Sequence, residues 1–212
     1  MSDLVLKPTP IQDSRHKLVL ASGSAIRRTL LENAGLTVSV ITPTVEEDSF
    51  KHAGRQEGAA PETVALRLAE AKALSVSAMC EDAFVIGADQ MLSCHGVWYD
   101  KPADLAAARQ QLLALRGQEH SLHTAVVICR NGRVVWRHLS QPVLTMRLFS
   151  EAFLEAYLAA EGEECLYSVG AYRIEGPGLH LFARMEGDQT AILGLPLLPV
   201  LEGLRELGVL FS

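Results

Sequence analysis

Short apolar segments alternate with helical segments along this 212-residue chain, and that alternation constrains its fold more than any other feature. The segment 17–21 (KLVLA) predicts a buried strand. Ser22-Gly23-Ser24 predicts a tight loop, and 25–35 (AIRRTLLENAG) predicts a helix that Ser24 caps and Gly35 ends. A strand, a loop and a helix in that order are typical of α/β proteins.

The same patterns predict strands and helices in the rest of the chain. Further strands are predicted in 38–41, 83–88 and 141–148, and further helices in 61–78, 104–115, 150–160 and 197–207. Residues 42–60 are predicted as a long loop, and 168–182 as glycine-rich irregular structure. Hairpins are predicted around His95-Gly96 and Asn131-Gly132. Because hairpins interrupt the strand–helix alternation, we expect a mixed rather than a purely parallel α/β fold.

The composition is that of a packed globular protein, since 49% of the residues are apolar and 21% are charged. No apolar run reaches the roughly 20 residues that span a bilayer. The N-terminal segment carries Asp3, Pro8 and Pro10 where a signal peptide needs an unbroken apolar stretch. We therefore expect a single domain over 1–212 with a polar leader, 1–16, and no membrane or secretory role.

The net charge and the cysteine spacing exclude further classes of function. The chain has 25 acidic and 19 basic side chains, a formal charge of −6, which disfavours a binder of duplex nucleic acid. Its 4 cysteines form no Cys-x-x-Cys pair, so reduced thiols in a cytoplasm are expected. His120 and His123 have no third ligand nearby in sequence, and we interpret them as strand-edge residues rather than a metal site.

The Ser22-Gly23-Ser24 loop predicts a phosphate site. It precedes a helix N-terminus, where backbone N–H groups and the helix dipole favour anions. Arg27 and Arg28 follow in the first turn, where cations oppose the dipole. They are either solvated surface arginines or residues that bind a polyphosphate. Their position beside two serines favours polyphosphate binding. The P-loop spacing G-x-x-x-x-G-K-[ST] is missing.

Other candidate residues are ambiguous when each is taken alone. Asp89 follows the apolar segment 83–88 and is a turn cap, a general base or a residue that helps to hold Mg²⁺. The apolar face of the 61–78 helix excludes Lys72, which suggests a solvated lysine. Lys101 precedes a proline that fixes its backbone. The loop carboxylates Glu46 and Glu47 are either metal ligands or surface charges.

Seven blocks in register resemble the Maf family of nucleotide pyrophosphatases, and together they cover nearly the whole chain from about residue 17. The blocks are LVLASGSAIRRTLLENAGL (18–36), PETVALRLAEAKA (61–73), VIGADQ (85–90), KP (101–102), LRGQEHSLHTAV (115–126), SVGAYRIEG (168–176) and EGDQTAILGLPLLPVL (186–201). Seven matching blocks are far more specific than any single motif.

The resemblance implies a Maf-like domain with a twisted mixed sheet, flanking helices and two lobes around a cleft. It implies hydrolysis of a nucleoside triphosphate between the α- and β-phosphates with a divalent metal, Mg²⁺ or Mn²⁺, and it suggests a homodimer. By motif position Asp89 matches the proposed proton acceptor, and Glu46 or Glu47 matches an acidic pair tied to metal or water. The positions matching phosphate-handling residues are Ser22, Ser24, Arg27, Arg28, Lys72 and Lys101.

Three departures from the common family pattern bear on the base that the protein prefers. Ala25 replaces a frequent proline, Gln90 follows Asp89 where threonine is frequent, and Glu175 replaces a frequent glutamine. Gln90 and Glu175 resemble the branch active on a methylated guanine nucleotide. We hypothesise that Glu175 reads the base; the alternatives are a metal or water ligand and an ion pair with Arg173 or Arg184.

Two other functions remain open from the sequence. The first is a nucleotide-binding regulator of septum formation without significant turnover, because the family takes its name from an effect on the septum. The second is a pyrophosphatase of another family with a metal-rich acidic helix, but the chain has no G-x5-E-x7-R-E-x-x-E-E pattern.

Overall fold

The computed structural model describes residues 11–212, which form two compact units. The first unit contains the described residues up to Asp89 together with Ala125–Leu139 and Gly194–Ser212, and the second contains Gln90–Thr124 and Ser140–Leu193. Residues 1–10 of the predicted polar leader lie outside the described part. The single domain over 1–212 and the cleft between lobes stay predictions.

The elements follow one another along the chain as an interleaved series of strands and helices. They are β1 (Leu18–Ala21), α1 (Ala25–Asn33), β2 (Ser39–Ile41), α2 (Glu47–Glu57), α3 (Pro61–Ser77), β3 (Phe84–Cys94), β4 (Val97–Tyr99), α4 (Leu105–Leu115), β5 (Glu119–Arg130), β6 (Arg133–Ser140), β7 (Val143–Met146), α5 (Glu151–Glu161), β8 (Phe182–Glu186), α6 (Gln189–Ile192) and α7 (Leu197–Glu206). Short 3-10 turns occupy Gly162–Tyr167, Val169–Ala171 and Pro177–Leu181.

The strands form a mixed sheet, as predicted. In the first unit β1 lies between β2 and β3 and is parallel to both. β3 also pairs with β5, and β6 pairs with β5. In the second unit β4 is antiparallel to β3, and β7 is antiparallel to both β5 and β8. β3 and β5 each contribute residues to both units.

Turn and cap residues place these elements where the sequence predicts them. Asn131 and Gly132 both have positive φ, 49° and 71°, as a two-residue hairpin turn requires. Ser24, Asp104 and Ser150 each accept a hydrogen bond from a first-turn N–H of their helices. The mixed α/β class, the two hairpins and the three capped helices are therefore confirmed.

Each unit has its own apolar core. In the first unit, leucines of β1 and α1 pack with Phe84 and Ile86 of β3 and with apolar residues of β5 and α7. In the second unit, the core joins Leu92 to residues of α4, α5, β7 and the 3-10 turns. All four cysteines are free thiols, as expected. No helix of the described residues is long and apolar enough to cross a membrane.

The long loop predicted for 42–60 is wrong, because residues Glu47–Glu57 form α2. This helix has few apolar residues, so it lacks the periodicity on which sequence prediction relies. Glu47 and Asp48 in its first turn favour the helix dipole. Gly58 ends it with a φ of 65°, and Ala59 N–H bonds back to the carbonyl of Gly54.

Three smaller expectations are also corrected. The strand predicted to end at 88 continues through Asp89 to Cys94, so Asp89 lies within β3 rather than at its end. β8 and α6 lie in segments for which no strand or helix was predicted. His120 and His123 are buried within β5, so the strand-edge interpretation is wrong.

Candidate active site

The loop between β1 and α1 has the geometry that the sequence predicts. Ala21 of β1 pairs with Gly87 of β3, so the loop begins beside the middle of β3. Ser24 accepts a hydrogen bond of 3.4 Å from the N–H of Arg27. Ser22 is buried, and its hydroxyl accepts from the N–H of Ser24 at 3.2 Å. The two serines thus shape the loop and cap α1, whose first N–H groups form a natural anion site.

The guanidinium of Arg27 forms hydrogen bonds within the protein, mainly to backbone carbonyl oxygens. Its Nη1 donates to the carbonyl oxygen of Ala88 at 2.8 Å and to the Ser22 hydroxyl at 3.2 Å. Its Nε donates to the carbonyl oxygen of Gly194 at 2.8 Å. Burial lowers the pKa of Arg27, against the opposing carboxylates of Asp89 and Glu47. The guanidinium stays charged at neutral pH and connects the loop to β3.

Arg28 has a different environment from Arg27. Its side chain is 58% exposed, and its Nε donates to Glu32 of the same helix at 2.7 Å. An exposed pair at this spacing stabilises a helix only weakly, by about 0.3–0.5 kcal/mol. Arg28 can therefore turn from Glu32 to an incoming anion at small cost.

Helix α3 packs directly on β3 at Gly87. A Cβ atom added there would lie 2.3 Å from the carbonyl oxygen of Ala69 and 2.8 Å from the Cβ of Ala73. Only a residue without a side chain permits this approach. Gly87 and Asp89 share one face of β3 because side chains alternate along a strand. Gly87 thus brings α3 close to the face that carries Asp89.

Lys72 lies on the side of α3 that faces this strand. The helix is confirmed, but the expectation that Lys72 lies outside its buried face is wrong, because the residue is only 8% exposed. Val64, Leu68 and Val76 are buried on the same helix. The prediction used only the spacing of apolar residues along the helix. It could not include the close approach of α3 to β3 at Gly87, which buries more of the helix surface than the apolar face alone.

The Lys72 ammonium joins two carboxylates. Its Nζ lies 2.6 Å from Asp89 Oδ1 and 2.7 Å from Glu47 Oε1. The Asp89 side chain is 7% exposed, whereas that of Glu47 is 43% exposed. Burial raises the pKa of Asp89 above its usual value, although Lys72 and Arg27 oppose the effect. The result is a buried carboxylate with increased basicity, oriented by a fixed cation.

Helix α2 gives different environments to Glu46 and Glu47, which the sequence left as alternatives. Glu47 is its first residue and contacts Lys72, whereas Glu46 lies at the N-cap, is exposed and makes no capping hydrogen bond with its side chain. Among residues 11–212, no group of three or more His, Cys, Asp or Glu side chains could hold a metal ion. Glu47 and Asp89 are the two carboxylates that contact Lys72.

Lys101 and Glu175 belong to the second unit. Lys101 is exposed, next to buried Pro102, and the side chain of Gln111 donates to the carbonyl of the preceding residue, Asp100, at 2.9 Å. Glu175 is exposed, and its charge acts on Arg173. The structure therefore brings together Ser22, Ser24, Arg27, Glu47, Lys72 and Asp89 in the first unit.

Gly87 is a residue of this site that sequence reasoning missed. A lone glycine inside an apolar strand is a recognised sign of close backbone approach. The segment 85–90 (VIGADQ) carries that sign two positions before Asp89.

Known proteins match this chain over a range that includes all of these site residues. The family model described as Maf-like protein matches residues 17–207. A nucleoside triphosphate pyrophosphatase of Granulibacter bethesdensis is 50% identical over 190 residues, which are 90% of this chain and 96% of that protein. A 7-methyl-GTP pyrophosphatase of Rhizobium meliloti is 48% identical over 193 residues, 91% of this chain and 97% of that protein.

A solved structure of a HAM1 protein from Coxiella burnetii overlaps more distantly. It covers 91% of this chain and 98% of its own, with 16% sequence identity and a TM-score of 0.46.

Proposed function

Because this chain belongs to the family of Maf-like proteins, we propose that it is a nucleoside triphosphate pyrophosphatase, a hydrolase. It cleaves the bond between the α- and β-phosphates and releases a nucleoside monophosphate and pyrophosphate. The observation that carries the proposal is the buried contact of 2.6 Å between Lys72 and Asp89, beside the loop at the start of α1. This contact provides a base and a fixed cation next to an anion site.

Asp89 serves as the general base. A water molecule attacks the α-phosphorus, its proton passes to the Asp89 carboxylate, and the bond to the β-phosphate oxygen breaks. Because burial raises the pKa of Asp89, the carboxylate binds a proton more readily than an exposed aspartate does. Lys72 orients the carboxylate and keeps its charge compensated.

Cations and helix N–H groups bind the phosphates. A nucleoside triphosphate carries about four negative charges at neutral pH. The N-terminus of α1, capped by Ser24, and the exposed Arg28 offer the nearest compensation in the first unit. Arg27 and Ser22 hold the loop in place. Lys101 stays a predicted phosphate contact. Fixed positive groups stabilise the charge that builds on a pyrophosphate leaving group.

The acidic residues fit a divalent cation. The oxygens of Glu47 and Asp89 already converge on one cation, the Lys72 ammonium, and Mg²⁺ binds proteins through one or two carboxylates plus substrate phosphates. Glu47 would hold Mg²⁺ or Mn²⁺ together with substrate phosphates, with Glu46 as the further predicted ligand, and Asp89 stays the proton acceptor. When bound, the metal polarises phosphate oxygens and neutralises their charge.

The natural setting of this reaction is the cytoplasm, where nucleotides are made and the four free cysteines stay reduced. There the enzyme removes non-standard or excess nucleotides. We expect no duplex nucleic acid or membrane as a partner, and the homodimer stays an expectation. The base preference is a separate question, because relatives carry the names of both a general and a 7-methyl-GTP enzyme.

Product analysis tests the proposal. Purified protein is incubated with GTP, UTP or 7-methyl-GTP and with Mg²⁺ or Mn²⁺, and every product is quantified. We expect monophosphate and pyrophosphate in equal amounts. A diphosphate with free phosphate would contradict the bond position. Tight nucleotide binding without any product would instead favour the regulator of septum formation.

A further inference from the structure

Gly194 has a backbone conformation that residues with side chains rarely adopt. It is buried in the first unit, just before α7. Its φ is 98°, which is accessible to glycine but costs free energy at a residue that carries a Cβ atom. In this conformation its carbonyl oxygen accepts a hydrogen bond of 2.8 Å from Nε of Arg27, which lies 167 residues earlier in the chain.

The missing side chain of Gly194 leaves the space that Arg27 occupies. A Cβ atom added at Gly194 would lie 3.3 Å from Arg27 Nε and 3.5 Å from Arg27 Nη2, and the first distance is shorter than ordinary van der Waals contact. The guanidinium donates to Gly194, Ser22 and Ala88, so a shift that relieves the contact strains these bonds. Gly194 thus permits the contact both through its φ and through its lack of a side chain.

The apolar core of the first unit holds both sides of this contact. Leu195, which follows Gly194, is fully buried in the same cluster as Leu204 of α7. Leu31 of α1, the helix that carries Arg27, belongs to that cluster as well. The hydrogen bond between Arg27 and Gly194 therefore joins two segments that are anchored in one core.

The Arg27 guanidinium transmits this position to the strand that carries Asp89. Its Nη1 donates a hydrogen bond of 2.8 Å to the carbonyl oxygen of Ala88, the residue before Asp89. Because the guanidinium group is planar and rigid, Nε and Nη1 cannot move independently. A displacement at Gly194 therefore reaches the Ala88 carbonyl and the backbone that carries the Asp89 carboxylate. A misplacement of about 1 Å can lower a rate about 100-fold.

We infer that Gly194 is a positioning residue for the hydrolysis: it fixes the Arg27 guanidinium, which in turn fixes Asp89. The inference rests on the proposed function, because Asp89 is the proposed base. The groups proposed to bind phosphate in the first unit are the N-terminus of α1 and Arg28, whose side chain bonds to Glu32 of the same helix. A change at Gly194 therefore affects turnover more than nucleotide binding.

The test compares Gly194→Ala with Gly208→Ala. Gly208 is the matched control, because it lies in the same unit, has a φ of 72° and has no described atom within 4 Å of an added Cβ. Both substitutions strain the backbone and should lower the melting temperature, but only Gly194→Ala presses on Arg27. We expect kcat for GTP to fall about tenfold or more in Gly194→Ala, with KM changed less than about threefold, and wild-type constants in Gly208→Ala. Equal losses of kcat in both variants would overturn the inference.

The double variant Gly194→Ala/Arg27→Lys tests whether Gly194 acts through Arg27. Lysine lacks the planar fork, so Arg27→Lys alone already loses the paired bonds to Gly194 and Ala88. The kcat of the double variant should therefore equal that of Arg27→Lys. Losses that multiply would show that Gly194 acts by another route, which would contradict the inference.

A second substitution covers the case in which Gly194→Ala does not fold. Asparagine tolerates positive φ better than alanine and also carries a Cβ atom, so Gly194→Asn presses on Arg27 with less backbone strain. It should lower kcat in the same way, and a wild-type kcat in this variant would count against the inference.

Nuclear magnetic resonance separates the inference from the proposed function, because it needs no turnover. Hydrogen exchange of the Arg27 Nε–H should be slow in the wild type, since this proton is bonded to the Gly194 carbonyl. Gly194→Ala should speed this exchange and shift the backbone amide resonance of Asp89, whereas Gly208→Ala should do neither. Both changes support the inference even if the wild-type protein cleaves no triphosphate. Their absence in Gly194→Ala would overturn it.

Discussion

Arg27 donates a hydrogen bond of 2.8 Å to the carbonyl oxygen of Ala88, the residue immediately before Asp89. A second bond, to the carbonyl oxygen of Gly194, holds the same guanidinium in place. Arg27 therefore determines where the Asp89 backbone lies, whereas Arg28 points along α1 to Glu32. The two adjacent arginines have different structural roles.

Substitution should reveal these two roles. Arg27→Lys keeps a charge but loses the fork of donors, so we expect kcat to fall about 100-fold through misplacement of Asp89. The melting temperature should also fall, because buried acceptors lose their donor. Steady-state kinetics and thermal unfolding measure both effects.

Arg28→Ala should instead weaken transition-state stabilisation by about 2–4 kcal/mol in kcat/KM, with an unchanged melting temperature. Lys101→Ala should act in the same way. Arg133→Ala, at the exposed start of β6, is the control and should have almost no effect. Equal losses in all three variants would show that Arg28 and Lys101 do not bind phosphate.

Gly87→Ala should reduce activity more than stability. The new methyl group forces α3 away from β3, which costs about 1–3 kcal/mol as overpacking. It also separates Lys72 from Asp89, so kcat should fall at least tenfold even at temperatures where the variant is folded. Gly208→Ala is the control, since its φ is 72° and nothing lies near its added Cβ. It should lose about 1 kcal/mol of stability and no activity.

Asp89→Asn removes the proposed base and keeps its shape. We expect kcat to fall by roughly 10²–10⁴-fold, the usual contribution of a positioned base. Binding of a non-hydrolysable nucleotide should stay unchanged or improve, because a negative charge near the phosphates is gone. Near wild-type turnover in a folded variant would show that Asp89 has no role in proton transfer.

The burial of His120 leads to a prediction of how the free energy of unfolding depends on pH. It is 2% exposed, and burial lowers its pKa from 6.5 to about 4. Between these values the unfolded chain binds a proton that the folded chain excludes, so stability falls as pH drops from about 6.5 towards 4. The loss reaches up to about 3 kcal/mol.

His120→Gln tests that dependence, because glutamine does not titrate and can still bond to the hydroxyl of Tyr172, which lies 3.0 Å from His120 Nε2. Urea unfolding at several pH values should show that the difference in stability between wild type and variant changes across this window. A constant difference would mean that His120 titrates normally in the folded state.

Local signals made much of this fold predictable. The hairpin at Asn131-Gly132 and the helix after Ser24 follow from turn and cap chemistry within a few residues. Five residues of the first-unit site lie in the seven sequence blocks: Ser22, Ser24, Arg27, Lys72 and Asp89. Glu47 lies outside the blocks, and Gly87 lies within the block 85–90 but was not singled out.

Long-range packing made the rest unpredictable. The burial of Lys72 depends on Gly87 admitting α3, and the two residues are far apart in sequence. The extension of β3 through Asp89 is tolerated because Lys72 compensates a charge that would otherwise end a buried strand. Glu47 is distinguished from Glu46 only by α2, a helix with too few apolar residues to be recognised.

The most direct measurement of the proposed reaction is hydrolysis of GTP in water labelled with oxygen-18, followed by mass spectrometry of both products. Attack at the α-phosphorus, with Asp89 accepting the proton, predicts label in the guanosine monophosphate and none in the pyrophosphate. Label in the pyrophosphate, or in free phosphate released with a diphosphate, would contradict this mechanism.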